Sequence, residues 1–295
     1  MRYTFFILLT IFLIACDSRV SKISTGQQVA QEQQSDHYFD KAVILLNQGD
    51  IENVKLAIKE LEQSAKQGNS EALYNLGTIY QYGKAGEIDY KKALDYYLLA
   101  ANKNHLIAIQ NIGILYQFGF GVNQNYSEAY KWYKIAADQN LPMSLNSLGV
   151  LYSNGYGVEK NYSKSFDYFE KAAGLDNSSG AYNLSLAYEL GQGVKINNKK
   201  AFFWAEKAAD QGHNFAQNNL AYKYSKGNGT KKNAEKAFFW YKKAAEQGLA
   251  PAQYNLGLMY EKGQGTTKNL EQAKVWYLNA ATQGDPDALK RANAL

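Results

Sequence analysis

The sequence has one cysteine, three prolines and three histidines among 295 residues. A single thiol, Cys16, leaves no partner for an intramolecular disulfide. His37, His105 and His213 are far apart in the sequence, so no histidine pair has metal-ligand spacing, and we expect no metal and no cofactor. No nucleophile with a neighbouring base and no distinctive pair of carboxylates stands out. These scarcities argue against an enzyme and against any catalytic residue.

Long runs of basic residues are also missing. The formal net charge is +5, from 32 basic and 27 acidic side chains, and we interpret it as spread along the chain. Nucleic-acid recognition needs Lys and Arg clustered on one face. We therefore expect neither nucleic acid nor a small-molecule substrate among the partners.

Tyr and Gly are abundant, with 24 of each, and they recur on a 36-residue period. Six units of equal length cover residues 72–287, a degenerate unit (36–71) precedes them as an N-terminal cap, and a truncated unit (288–295) follows as a C-terminal cap. The six full units begin at Ala72, Ala108, Ser144, Gly180, Ala216 and Ala252. Self-similarity at such a period is typical of an array in which each unit is one supersecondary element.

Each unit predicts two helices joined by a glycine turn. The first, fifth and ninth positions form an i, i+4, i+8 stripe, in which the fifth is Leu or Ile and the ninth is Tyr. A glycine such as Gly83 predicts a left-handed end to the first helix, with Asn47 in its place in the degenerate unit. The second helix is predicted to begin at an Asp or Asn N-cap. These predicted caps are Asn53, Asp89, Asn125, Asn161, Asn197, Asn233 and Asn269.

The last full unit carries the complete pattern. Its residues are Ala252, Leu256-Gly257, Tyr260, Gly263-Gln264-Gly265, Ala273, Trp276-Tyr277, Ala280-Ala281 and Gln283-Gly284. This pattern resembles the Sel1-like repeat, a relative of the tetratricopeptide repeat. The resemblance implies an all-α fold, a right-handed α/α superhelical solenoid of helical hairpins, and a non-enzymatic role in protein binding.

In the tetratricopeptide family the first helix of each hairpin lines the concave face, and the resemblance implies the same placement here. An Asn in that family grips the backbone of a bound peptide, and Tyr offers a large rigid surface with a polar tip. The alternative is that these Asn bridge neighbouring hairpins. The candidate partner-binding residues are Asn75, Asn111, Asn183, Asn219, Asn255, Tyr74, Tyr182, Tyr222 and Tyr254.

A second candidate surface is the edge formed by the loops between the two helices of each unit. Aromatic residues occupy positions outside the predicted core in consecutive units, and together they would form an exposed apolar patch. The alternative is that each ring packs against the adjacent loop. These residues are Tyr82, Phe118, Phe120 and Tyr156.

The N-terminal segment predicts targeting. Arg2 precedes an apolar run over residues 3–15, which is too short to span a bilayer. The sequence Leu-Ile-Ala-Cys at residues 13–16 resembles the lipobox of bacterial lipoproteins, which implies a signal peptide over residues 1–15, cleavage before Cys16 and acylation of that residue. The alternative is an ordinary signal peptide with an incidental cysteine. The polar residues 16–35 predict a flexible tether.

We therefore expect a scaffold in the bacterial cell envelope, held to the inner or outer membrane through Cys16 and facing the periplasm. Its expected partner is a protein bound in the concave groove. Two alternatives fit the same features. One is a periplasmic immunity protein that neutralises a secreted lipase effector of the type VI kind, and the other is a structural component of an envelope or polysaccharide-export complex.

Overall fold

The computed structural model describes residues 36–295, which form fifteen helices in consecutive hairpins. Each odd-numbered helix (an A helix) pairs with the even-numbered helix after it (a B helix), and α15 ends the array. The helices are α1 His37–Gln48, α2 Ile51–Lys66, α3 Ser70–Gln81, α4 Tyr90–Ala101, α5 Leu106–Phe118, α6 Tyr126–Ala137, α7 Pro142–Asn154, α8 Tyr162–Gly174, α9 Ser178–Leu190, α10 Asn198–Asp210, α11 Asn214–Lys226, α12 Ala234–Glu246, α13 Ala250–Lys262, α14 Leu270–Ala281 and α15 Pro286–Ala294. No strand occurs between residues 36 and 295. The predicted all-α solenoid of helical hairpins is confirmed.

Most hairpins close where a ring on the B helix lies against a small residue on the A helix. Tyr97 is fully buried, and a Cβ added to Gly77 would lie 2.5 Å from its ring carbons. The hydroxyl of Tyr97 donates to Gln81 Oε1 at 2.6 Å, which satisfies the one polar atom of the buried side chain. The corresponding pairs in other hairpins are Gly113 with Tyr133, Gly149 with Phe169, and Gly257 with Tyr277.

The predicted N-caps are correct for six of the seven B helices. Asn161, for example, accepts a hydrogen bond from the backbone N–H of Lys164 at 2.9 Å. Helix α2 is the exception, because Asp50 is its N-cap and Asn53 lies in its first turn, where its N–H donates to Asp50. The prediction for Asn47 is also wrong, since it lies within α1 and Gly49 takes the positive φ of 79°. Both errors arise because only residues 49–50 join α1 to α2, whereas seven residues join α5 to α6.

The apolar core is a row of clusters shared between neighbouring hairpins. One cluster takes Ala129 and Tyr133 from α6, Leu148 and Leu151 from α7, and Ala172 from α8. A single hairpin could not bury these side chains, so the hairpins stabilise one another as an array. Residues 37–295 form one compact unit that contains every such cluster.

The predicted signal peptide, Cys16 and the whole of the predicted tether lie outside the described residues. Between residues 36 and 295, no helix combines the length and the apolar character needed to cross a bilayer. Helices α1 and α2 occupy the predicted degenerate unit, and α15 occupies the predicted truncated one.

Candidate partner-binding groove

A groove lies on the face formed by the A helices (the A face), between α9, α11 and α13, and encloses about 350 Å³. Leu190 and Tyr222 are 59% and 44% exposed. Contiguous apolar side chains that stay open to solvent are typical of interaction sites, whereas isolated ones are common on any surface. The lining residues are Tyr182, Leu186, Glu189, Leu190, Phe215, Asn218, Asn219, Tyr222, Tyr241 and Asn255.

The groove lies where one repeat departs from the packing of the others. Ala205 stands at the position of Tyr97, where five of the six full repeats carry a buried ring. Glu189 occupies the position of Gln81, and with Ala205 opposite it there is no tyrosine hydroxyl from which it could accept a hydrogen bond. It pairs instead with Lys223 Nζ, at 2.8 Å, and Lys223 is fully buried on the next A helix. The charged group on the groove lining is thus compensated by a cation from the neighbouring repeat.

Three asparagines bring polar atoms to the groove. The side chains of Asn219 and Asn255 make no hydrogen bond within residues 36–295, so their donors and acceptors are available to a ligand. Asn218 Oδ1 is buried, and no donor among the described residues reaches it. A buried acceptor without a partner costs about 1–3 kcal/mol, so an N–H supplied by a bound molecule would be favourable there.

The structure brings four of the nine predicted concave-face residues together. Tyr182, Asn219, Tyr222 and Asn255 all line the groove. Asn75 lies outside it, on α3.

The other four predicted residues lie at junctions between repeats. Asn183 Nδ2 donates to Asn146 Oδ1 at 2.8 Å, so Asn183 bridges neighbouring hairpins, which is the alternative that the sequence leaves open. Asn111 on α5 lies near the hydroxyl of Tyr97 on α4, in the preceding repeat. The remaining two are Tyr74, whose ring stacks on that of His105 with centroids 4.7 Å apart, and Tyr254, whose hydroxyl accepts from Arg291 Nε at 3.0 Å.

His213, to which the sequence alone assigns no role, supports the groove. Its Nδ1 accepts from the backbone N–H of Ala216 at 3.2 Å, which caps α11, and its ring stacks on Tyr182 with centroids 4.8 Å apart. Burial lowers the pKa of His213 to about 4, so the ring is neutral, as an accepting Nδ1 requires. Burial also raises the pKa of Tyr182, and the nearby charge of Glu189 adds to that shift. The capping role of His213 could have been found from its position in the repeat, because Asn177 caps α9 at the corresponding position of the preceding repeat.

The predicted loop-edge residues do not behave alike. Tyr82 and Phe118 are exposed at the ends of their A helices. Phe120 is half-buried and stacks on Tyr90 with centroids 4.8 Å apart, and Tyr156 stacks on Tyr126 at 4.7 Å. Two of the four rings therefore pack against the preceding hairpin.

A second depression, of about 330 Å³, lies between α6, α7 and α8. Its phenols and lysines already contact one another: the hydroxyls of Tyr130 and Tyr152 are 3.3 Å apart, and Lys164 Nζ lies 5.3 Å from the ring centroid of Tyr152. Residues 36–295 contain no group of three or more His, Cys, Asp or Glu placed to hold a metal ion. The A-face groove is therefore the better candidate site.

A family model described as Sel1 repeat matches six consecutive stretches of the chain, residues 70–105, 106–141, 142–177, 178–213, 214–249 and 250–285. The chain belongs to the Sel1 repeat family. The matched repeats keep the 36-residue period and begin two residues before the units counted from the sequence, at the first residue of each A helix. Proteins of this family are generally interaction scaffolds rather than enzymes.

Solved structures of other proteins share this Sel1 fold. A Sel1 repeat protein from Oxalobacter formigenes is 30% identical, with a TM-score of 0.77 over 83% of this chain and 99% of that one. A protective antigen with an SLR fold from uropathogenic Escherichia coli is 35% identical, with a TM-score of 0.70 over 80% of this chain and 50% of the antigen, so the chain spans about half of the antigen's length. An immunity protein from Pseudomonas aeruginosa is 20% identical, with a TM-score of 0.54 over 75% of this chain and 84% of that one, which shows the fold alone. No curated protein sequence matches the chain.

Proposed function

We propose that this Sel1 repeat protein is a scaffold that binds an extended segment of a partner protein in the groove between α9, α11 and α13. The observation that carries the proposal is the pairing of exposed apolar groups with unpaired amides. Leu190 and Tyr222 are open to solvent beside Asn219 and Asn255, whose side chains have no partner within residues 36–295. Apolar surface supplies affinity, and the amides supply orientation.

The lining indicates what kind of segment would fit. An extended peptide presents an N–H and a C=O at each residue, and an Asn amide both donates and accepts. Asn218 Oδ1 would accept one of these N–H groups. Because Glu189 is already paired with Lys223, the groove offers little net charge to a ligand. We therefore expect the bound segment to be apolar and uncharged at its centre.

Substitution within the groove tests this function. Tyr222→Ala with Asn219→Ala removes an exposed ring and an unpaired amide, and neither side chain bridges repeats. We expect binding of a partner recovered by the wild-type chain to weaken about tenfold or more, because a Tyr at the centre of an interface contributes about 2 kcal/mol. Quantitative pull-down with crosslinking and mass spectrometry measures this loss and locates the bound segment.

The matched control is Asn75→Ala with Thr78→Ala, the same two positions in the first full repeat and outside the groove. It should retain the partner. Equal loss in both variants, or no loss in either, would contradict the groove.

We also propose that the chain is anchored in the cell envelope through acylated Cys16, on the strength of the apolar run and the lipobox-like residues before it. In cells grown with a palmitate analogue that carries a detectable tag, the wild-type protein should take up the label, and Cys16→Ser should take up none because it lacks the acylated thiol. Ser18→Ala, which leaves the acylation site intact, is the control and should be labelled like the wild type. A wild-type protein that takes up no label would refute acylation.

The immunity role and the export-complex role stay predictions. An immunity role predicts that cells lacking this protein are killed by their own siblings. A role in an export complex predicts an envelope defect without competitors present.

A further inference from the structure

The loop edge changes its charge along the array. In each full repeat it runs from the end of the A helix to the first turn of the B helix. These stretches are residues 82–92, 118–128 and 154–164 in the first three full repeats and 190–200, 226–236 and 262–272 in the last three. The first three stretches carry five lysines against four acidic side chains, whereas the last three carry nine lysines against two. The charge is therefore not spread evenly along this edge.

The lysines of the last three stretches are open to solvent and uncompensated. All nine are exposed, and none of them forms an ion pair within residues 36–295. Lys223, which is buried and paired, is not one of them. They are Lys195, Lys199, Lys200, Lys226, Lys231, Lys232, Lys236, Lys262 and Lys268. Their charge is available to an anionic partner.

The loops that carry these lysines form one continuous surface. A Cβ added to Gly229, in the loop before α12, would lie 2.0 Å from the carbonyl oxygen of Asn198, the first residue of α10. Gly265 lies as close to Ala234, the first residue of α12, at 2.1 Å. Both glycines have a positive φ, so each loop is held against the preceding hairpin where no side chain would fit. The lysines therefore belong to one row rather than to three separate clusters.

One end of the A-face groove opens onto this row. Leu190 is the last residue of α9, lines the groove and is 59% exposed. Lys226 is the last residue of α11, and its Nζ lies 5.9 Å from the ring centroid of Tyr222, which also lines the groove. A chain that leaves the groove at this end would pass over the lysines of the loop edge.

We propose that the loop edge of the last three full repeats binds an acidic stretch of the partner protein, next to the part of that protein that lies in the groove. The inference rests on the proposed function and adds the charge of the partner. Asp and Glu carboxylates would meet a row of uncompensated ammonium groups, and such complementarity speeds association and selects the partner. Ile196 and Leu270 are 65% and 42% exposed among the lysines, so apolar side chains within the acidic stretch would also find contacts.

The composition of this edge favours a polypeptide over a nucleic acid or a bilayer. Its basic residues are all lysines, which act as point charges, whereas arginine is the residue that holds a phosphate with two hydrogen bonds. The last three stretches contain no aromatic side chain on which a base could stack. A bilayer surface would contact the loops alone, whereas an extended chain can occupy the edge and the groove together.

Fluorescence anisotropy with labelled poly-L-glutamate of about 20 residues tests the charge of the edge. Residues 37–295 are suitable because they contain every core cluster in one compact unit. Lys195→Glu with Lys231→Glu should weaken binding about tenfold, because it replaces attraction by repulsion at two points of the row. Two other full repeats carry Glu87 and Glu159 at this position, so the fold accommodates the change.

The matched control is Lys84→Glu with Lys91→Glu, which changes the net charge equally on the same edge of the first full repeat. It should bind within about twofold of the wild type, because its charges lie more than a Debye length from the row. The helical circular dichroism of every variant must match the wild type. Equal weakening in the two variants, or no binding by the wild type at about 0.05 M salt, would overturn the proposal.

Unlabelled competitors identify the class of polyanion. Compared at equal concentrations of negative charge, poly-L-glutamate should displace the label more effectively than oligodeoxythymidylate or vesicles of phosphatidylglycerol. Stronger displacement by either of these two would overturn the acidic stretch in favour of a nucleic acid or a bilayer.

The partner recovered by the wild-type chain separates this inference from the proposed function. We expect Lys195→Glu with Lys231→Glu to weaken its binding about tenfold, as Tyr222→Ala with Asn219→Ala does. The Tyr222→Ala with Asn219→Ala chain should still bind poly-L-glutamate like the wild type. Loss of the partner in this groove variant alone would overturn the acidic stretch and leave the groove intact. Loss in the lysine variant alone would contradict the groove and support an acidic partner at the edge.

Discussion

The side chains that face each other across a hairpin are related in size. Where the B helix supplies Tyr97, the A helix supplies Gly77, and no Cβ fits between them. Where the B helix supplies Ala205, Ser185 fits, and its hydroxyl donates to the backbone carbonyl of Ala201 at 2.7 Å. The small residue could be predicted from the sequence as a sign of close helix approach. Its ring partner could not, because a periodic pattern shows which face a residue takes and not which residue it meets across the hairpin.

The buried neutral His213 makes stability depend on pH. Its pKa is about 4 in the folded chain against about 6.5 when unfolded, so between these values the unfolded chain holds a proton that the folded chain lacks. The contribution of the neutral His213 ring to the free energy of unfolding is fully present above about pH 6.5 and is lost as the pH falls toward 4. We expect the wild type to lose about 2 kcal/mol more than His213→Asn between about pH 7.5 and pH 5, measured by urea unfolding.

Asn is the matched replacement because Asn177 caps α9 at the corresponding place, so the variant retains a cap. His37→Asn, at an exposed position at the start of α1, is the control and should show the wild-type dependence on pH. An equal loss of stability in wild type and His213→Asn would show that the ring is not held neutral.

At the scale of helices, the N-caps set where each B helix begins. Asp50→Ala should destabilise the first hairpin by about 1 kcal/mol, because it leaves the N–H of Asn53 without its acceptor. Asn53→Ala should cost less than about half of that, since its side chain satisfies no helix N–H. Asn161→Ala, at a cap predicted correctly, provides the reference value. Thermal unfolding of the three variants measures the order, and a larger effect from Asn53→Ala would contradict the assignment of Asp50.

The helix starts could be predicted where the inter-helix loop keeps its length. Asn125 and Asn161 occupy the same position of equal loops, and both cap as predicted. The degenerate unit has a shorter loop, so aligning it by its period moves the predicted cap from Asp50 to Asn53. Hydrogen bonding rather than the 36-residue period decides which residue caps, and the sequence does not show hydrogen bonds.

At the scale of the whole chain, the fold was more predictable than the candidate site. An array in which each unit contacts its neighbours repeats its core, so periodic positions such as Leu184 and Leu220 identify the fold directly. The groove depends on two residues, Ala205 and Lys223, that differ from those at the same positions in the other repeats. An alignment of the units highlights the positions that they share, so it gives no weight to such differences.

The ion pair between Glu189 and Lys223 constrains how this array can change its length. Repeat arrays grow and shrink when recombination copies or deletes whole 36-residue segments. Deletion of residues 178–213 would leave Lys223 buried opposite Ser153, without a carboxylate, at a cost of several kcal/mol. Deletion of residues 214–249 would place Met259 there and leave no buried cation. The fifth matched repeat can therefore be deleted while the fourth is kept. Deletion of the fourth repeat alone would instead destabilise the array, because it leaves the buried Lys223 without its carboxylate.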